Sequence, residues 1–124
     1  MFLILKKNEK LLEEVIVNSF DEGSNYEEVA RFTSIAIEEF PESAEFWFYQ
    51  GAILSGQKKD SLAVQALETA IRLNEGKNPQ LEQVAYSTLG NSQYQIGDQP
   101  AAFKNFEKAL ALIQLTLIQY LHLA

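Results

Sequence analysis

The sequence predicts an all-α protein: three helix-turn-helix repeats followed by an apolar C-terminal helix. Three observations carry this expectation. Two stretches match place by place when they are laid 39 residues apart, and apolar residues recur at three- and four-residue spacing within each. The third is size: 124 residues, 47% hydrophobic and 22% charged, suit one folded domain with one continuous core.

The repetition is the most specific of the three. Ala44-Glu45-Phe46-Trp47-Phe48-Tyr49-Gln50-Gly51 aligns with Gln83-Val84-Ala85-Tyr86-Ser87-Thr88-Leu89-Gly90, with an aromatic at the fourth place and a glycine at the eighth. Continuing without gaps, Ala63, Leu67 and Ala70 fall at places 20, 24 and 27, opposite Ala102, Phe106 and Ala109, and Leu73 falls opposite Leu112. A third copy, legible mainly in its back half, begins at Lys10, 34 residues before Ala44. It sets Tyr26-Glu27-Glu28-Val29 at places 17 to 20, Ala36 at 27 and Pro41 at 32.

These residues resemble the tetratricopeptide repeat (TPR), a 34-residue helix-turn-helix unit with an aromatic and a glycine in its first helix and spaced alanines in its second. The resemblance rests on Trp47, Gly51, Ala63 and Ala70, on Leu89, Gly90, Gly97, Asp98, Ala102, Phe106 and Ala109, and on Tyr26, Ala36 and Pro41. It departs from the pattern at Gln50, Leu54, Tyr94 and Val17. It implies a right-handed superhelix, with residues 10–116 as one domain of three repeats (10–43, 44–77 and 83–116). Residues 1–9 then form an N-terminal segment and 117–124 a C-terminal helix extension.

Each element has a local reason. Ser24 with Glu27 reads as a capping box opening the second helix of the first repeat, and Asp60 and Asp98 are expected N-caps of the later second helices. Gly51 and Gly90 each cost roughly 1 kcal/mol against Ala inside a helix, so close approach of the paired helix is expected there, with Ala63 and Ala102 facing. Trp47 is expected to pack between the paired helices of its repeat. Between the second and third repeats, Gly76 reads as a helix stop, Asn78 as an N-cap and Pro79 as a first helical residue, so the next helix should begin about one turn early.

Composition argues against most catalytic chemistry. The chain has no Cys and one His, and its six glycines are scattered singly, so thiol, zinc-finger, triad and phosphate-loop chemistries lack their residues. Adjacent acids at Glu13-Glu14, Glu27-Glu28 and Glu38-Glu39 point about 100° apart on a helix and read as solvated faces. The stretch Asp21 to Asn25 faintly suggests a calcium loop, but Phe32 stands where the twelfth-place Glu is needed, and a turn explains it better. His122 has no second His and no nearby carboxylate. No enzyme activity, cofactor or metal is expected.

The net charge of -7 is uneven. Residues 1–43 hold ten Asp and Glu against four Lys and Arg, a field that repels nucleic acid and anionic lipid. The opening Met1 to Leu5 does not resemble a secretory signal. The uncharged run Ala109 to Ala124 falls short of the roughly 20 apolar residues of a membrane span. A cytoplasmic protein with a protein or peptide partner, basic or apolar, is therefore expected, with neither nucleic acid nor membrane.

In the TPR family the concave face is lined by places 2, 5, 9 and 12 of each first helix. Here these are Leu11, Glu14, Asn18 and Asp21; Glu45, Phe48, Ala52 and Ser55; and Val84, Ser87, Asn91 and Tyr94. The expected partner-binding residues are Glu14, Asn18, Glu45, Phe48, Ser87, Asn91 and Tyr94, with Asn18 and Asn91 available to hold an extended backbone. Leu11 and Val84 are as readily explained by contact with neighbouring helices. Some members of the family grip a C-terminal carboxylate with cations at places 2 and 6, but here Leu11, Val15, Glu45, Tyr49, Val84 and Thr88 stand there, none basic.

The expected function is a scaffold or adaptor holding a peptide or helix in this groove, chaperone-like activity being one variant. The alternative is a self-assembling module that homodimerises through Ile113, Leu117, Ile118, Tyr120 and Leu121, because that helix carries apolar residues on more than one face. A third outcome is that the same helix folds back to fill its own groove.

Overall fold

A computed structural model describes residues 8–21 and 26–123. Its regular elements are six helices: α1 Glu9–Asp21, α2 Tyr26–Glu39, α3 Ala44–Gly56, α4 Asp60–Asn74, α5 Pro79–Gln95 and α6 Gln99–Leu123. Each packs on its neighbours in sequence, and α3 also meets α5, so the chain is a stack of three helix hairpins.

The first half of the stack is held by one apolar cluster. Leu12 and Ile16 on α1, Val29 and Ala36 on α2, and Phe46 and Ile53 on α3 are almost completely buried together. The spacing of four on α1 and seven on α2 and α3 is that of a single buried stripe on each helix. Thr33, also buried, donates its hydroxyl to the Val29 carbonyl at 2.8 Å and so brings no unpaired group into the core. Ala63 and Leu67 of α4 form a second cluster with Leu89 of α5.

Caps set the helix starts. Asn8 Oδ1 accepts from the Leu11 amide at 3.0 Å, Ser43 Oγ from the Phe46 amide at 3.4 Å, Asn78 Oδ1 from the Leu81 amide at 3.2 Å and Asp98 Oδ1 from the Ala101 amide at 3.3 Å. Pro79 follows its cap directly, so α5 does begin about a turn early. Asn74, buried at the end of α4, braces that turn: its Nδ2 donates to the Asn78 carbonyl and its Oδ1 accepts from the Asn78 amide, both at 3.1 Å.

Several local expectations change. Asp60 is not the N-cap of α4; it is already helical, and Lys59 stands at the cap with no side-chain bond to offer. The capping box at Ser24 lies outside the described residues. Gly51 is pressed by Leu67 and not by Ala63: a Cβ there would lie 2.5 Å from Leu67 Cγ. Gly90 is pressed chiefly by the Phe106 ring at 2.7 Å, with the Ala102 carbonyl at 3.1 Å. Close helix approach is thus the reason for both glycines, but larger side chains make it. Trp47 is half-buried, its Nε1 donating to the Pro41 carbonyl at 2.8 Å, and the fully buried aromatic of α3 is its neighbour Phe46.

The C-terminal segment does not fold back. Residues 117–123 continue α6 without a break, and from Leu110 to His122 every side chain except the half-buried Leu112 is exposed. The cause is geometric: α5 covers only the Ala102, Asn105 and Ala109 stripe, and α6 is 25 residues long against 17 for α5.

Candidate functional site

The first helices of the three hairpins, α1, α3 and α5, are side by side. Between α1 and α3 the Phe20 and Tyr49 rings stand 6.0 Å apart, and the Tyr49 hydroxyl donates to Glu13 Oε1 at 3.5 Å. Between α3 and α5 the Ser92 and Ser55 hydroxyls meet at 3.3 Å. Their shared face carries two pockets of different chemistry.

The first, about 310 Å³, is walled by Val17, Phe20, Phe48, Tyr49 and Ala52 and is almost wholly apolar. Phe48 and Tyr49 pack ring against ring at 5.8 Å, which leaves the Phe48 face to line the opening. Burial pushes the Tyr49 hydroxyl up to about 12, and the charges of Glu13 and Glu45 push in the same direction. Two carboxylates therefore act on the rim of an apolar pocket. The second pocket, about 200 Å³, is polar and lined by Ser55, Lys58, Asp60, Asn91 and Gln95.

Of the residues expected from sequence, Phe48, Ala52, Ser55 and Asn91 line these two pockets, and Glu45 acts on the rim of the first. Glu14 and Asn18 are exposed, line neither pocket, and are not brought to Asn91. Ser87 is half-buried on α5. Tyr94 is exposed and turned to α6, with its ring 6.4 Å from that of Phe103.

The residues missed by sequence reasoning are Glu13, Val17 and Phe20, each one position before Glu14, Asn18 and Asp21. The reason is a one-residue difference in connection length: residues 22–25 separate α1 from α2, whereas residues 57–59 separate α3 from α4. An alignment anchored on α2 therefore reads α1 one place late, which rotates its face by about 100°. The signal was present in the sequence, because Leu12 and Ile16 are the fully buried pair and Val17 and Phe20 flank them at helical spacing.

Among the described residues no three His, Cys, Asp or Glu side chains gather as a metal would need, and no helix is long and apolar enough to cross a membrane. Buried polar side chains pair internally: Asn105 Nδ2 donates to Gln93 Oε1 at 2.6 Å, tying α6 to α5. The arrangement offers apolar contact, hydrogen bonding and negative charge along one face.

No family model matches the chain, and no curated protein matches its sequence. Among solved structures it is similar to the N-terminal domain of stress-induced protein-1 (STI-1) from C. elegans, with a TM-score of 0.72 and 20% identity over 87% of this chain and 86% of that one. It is also similar to MamA, with a TM-score of 0.50 and 19% identity over 89% of this chain and 81% of that one. Both neighbours contain tetratricopeptide repeats, and the likeness shows the fold: this chain is an all-α helical repeat of the TPR type.

Proposed function

We propose that the chain is a protein-interaction module, a scaffold or adaptor without catalytic activity that holds a segment of a partner along α1, α3 and α5. The observation that carries this reading is the apolar pocket of Val17, Phe20, Phe48, Tyr49 and Ala52 with Glu13 and Glu45 at its rim. A pocket of that size takes one large aliphatic or aromatic side chain, and the carboxylates favour a neighbouring Lys or Arg. Asn91 and Gln95, one to two turns along the face, can pair with the segment's backbone. In this reading residues 10–116 act as one domain of three repeats, in the cytoplasm, and the chaperone-like variant differs only in the partner served.

The test is a peptide array in which one apolar anchor is followed or preceded by Lys, Arg, Glu or Ser, read by fluorescence anisotropy. Basic, anchored peptides should bind best, Phe48→Ala should weaken them at least tenfold, and Glu45→Gln should lower the salt sensitivity of binding. Binding unaffected by Phe48→Ala overturns the groove reading.

A second reading is favoured by a specific observation: the exposed apolar surface of α6, including Ile113, Leu117, Ile118, Tyr120 and Leu121, supports self-association into a homodimer. It uses a different surface, and the two activities are compatible.

A further inference from the structure

The large apolar residues on the outer side of α6 are not scattered. Phe103, Phe106, Leu110, Ile113, Leu117 and Tyr120 alternate at spacings of three and four, and all are between 36% and 71% exposed. They form one stripe about 26 Å long, the seam that a helix uses to pair lengthwise with another helix. Within the chain α6 packs on α5 through the neighbouring stripe of Ala102, Asn105 and Ala109, so this seam is left without a partner.

We infer that α6 pairs antiparallel with α6 of a second copy, in the register that sets Phe103 against the partner's Tyr120, Phe106 against the partner's Leu117 and Leu110 against the partner's Ile113. The inference rests on the self-association reading above and adds its geometry. Two observations favour a second copy. The stripe, with Leu115, Ile118 and Leu121 beside it, exposes on the order of 700–800 Å² per chain, close to what each side of a standard interface buries. Charge then selects the direction. The charged side chains of α6 are Lys104, Glu107 and Lys108, all in its first half, and none follows.

In a parallel, in-register pair Lys104 and Lys108 would face their own copies. In the antiparallel pair each charged stretch meets the uncharged stretch of the partner, and an isologous contact of this kind closes as a dimer. The aromatic ends also meet, with Phe103 and Tyr120 stacking at both extremities around an aliphatic centre. The acidic α1–α2 hairpin, at the other end of the stack, stays away from the contact.

The chain has no cysteine, so single introduced thiols report the register directly. Leu110→Cys and Ile113→Cys chains are mixed in equal amounts, oxidised mildly, and separated by mass. Sedimentation equilibrium of the parent chain is run alongside, with Ile113→Glu and Leu117→Glu variants checked for unchanged helicity by circular dichroism.

A dimer in the micromolar range, a mixed disulfide exceeding either self-linked species by roughly fivefold, and monomeric Glu variants are expected. A parent chain that is monomeric throughout overturns self-association and this geometry together. A dimer in which Leu110→Cys links mainly to itself overturns the antiparallel register alone. A dimer that survives both Glu substitutions removes the seam as the interface.

Discussion

Lys58 and Gly97 occupy the same place in two copies of one turn, 39 residues apart, and both have positive φ, 62° and 90°. The turns agree bond for bond: amides 57, 58 and 59 donate to the carbonyls of Ile53, Ser55 and Leu54, and amides 96, 97 and 98 to those of Ser92, Tyr94 and Gln93. In the second copy the residue after the glycine, Asp98, caps the next helix; in the first, Lys59 cannot. Lys58→Gly should therefore stabilise the fold by about 0.5–1 kcal/mol through relief of left-handed strain. Lys59→Asp should add about 1 kcal/mol through the missing cap. Urea midpoints measure both, and a lower midpoint for either variant would contradict the turn described.

Gly51 should not tolerate alanine. Helix propensity alone favours Gly51→Ala by about 1 kcal/mol, but the added methyl would stand 2.5 Å from Cγ of the fully buried Leu67. A branch point in a packed core has little room to move, so a net loss of about 1–3 kcal/mol is expected. Gly56 is the control, because its added methyl would meet the tip of the Tyr26 side chain, which is exposed and can swing aside. Gly56→Ala should be close to neutral in the same denaturation series.

Adjacent aromatics on α3 should separate in thermal denaturation. Phe46 is fully buried, and Phe46→Ala should cost about 3–5 kcal/mol. Trp47 is half-buried and holds the Pro41 carbonyl, so Trp47→Ala should cost less, about 1–2.5 kcal/mol, and Trp47→Phe should isolate a hydrogen-bond share of about 1 kcal/mol. Equal losses at both positions would return the tryptophan to the core.

Alkaline titration should single out Tyr49. Its hydroxyl is raised from 10.0 to about 12 by burial first and then by Glu13 and Glu45, so above pH 10 the unfolded chain releases this proton before the folded one does. Stability then falls as pH rises from about 10 to about 12, and the contribution is intact below that window. Ultraviolet difference absorbance should show a late-titrating phenol that disappears in Tyr49→Phe, together with a shallower loss of thermal midpoint between those pH values. An unchanged titration curve in Tyr49→Phe would contradict the Glu13 contact. Tyr86 is raised too, by burial and then by Glu82, and should follow the more exposed phenols.

The sequence by itself determined the helical class, the hairpin repetition and the start of α5. These depend on local physics: apolar residues three and four apart, glycine at close approach, Asn-Pro at a helix start. It also identified Phe48 and Asn91 on the shared face, because α3 and α5 are related by an ungapped offset. Tertiary structure decided what depends on connection length and on which neighbour arrives. One additional residue between α1 and α2 turned Glu13, Val17 and Phe20 inward in place of Glu14, Asn18 and Asp21, and the alignment could not register it because α1 carries none of the repeat's marker residues. Leu67, not Ala63, reaches Gly51 because facing positions on crossing helices follow from the crossing itself. The outer stripe of α6 was legible only as an excess of leucine and isoleucine. Its six-residue seam emerged once α5 was seen to cover the adjacent face, since a helix becomes an interface only on the side that its own chain leaves open.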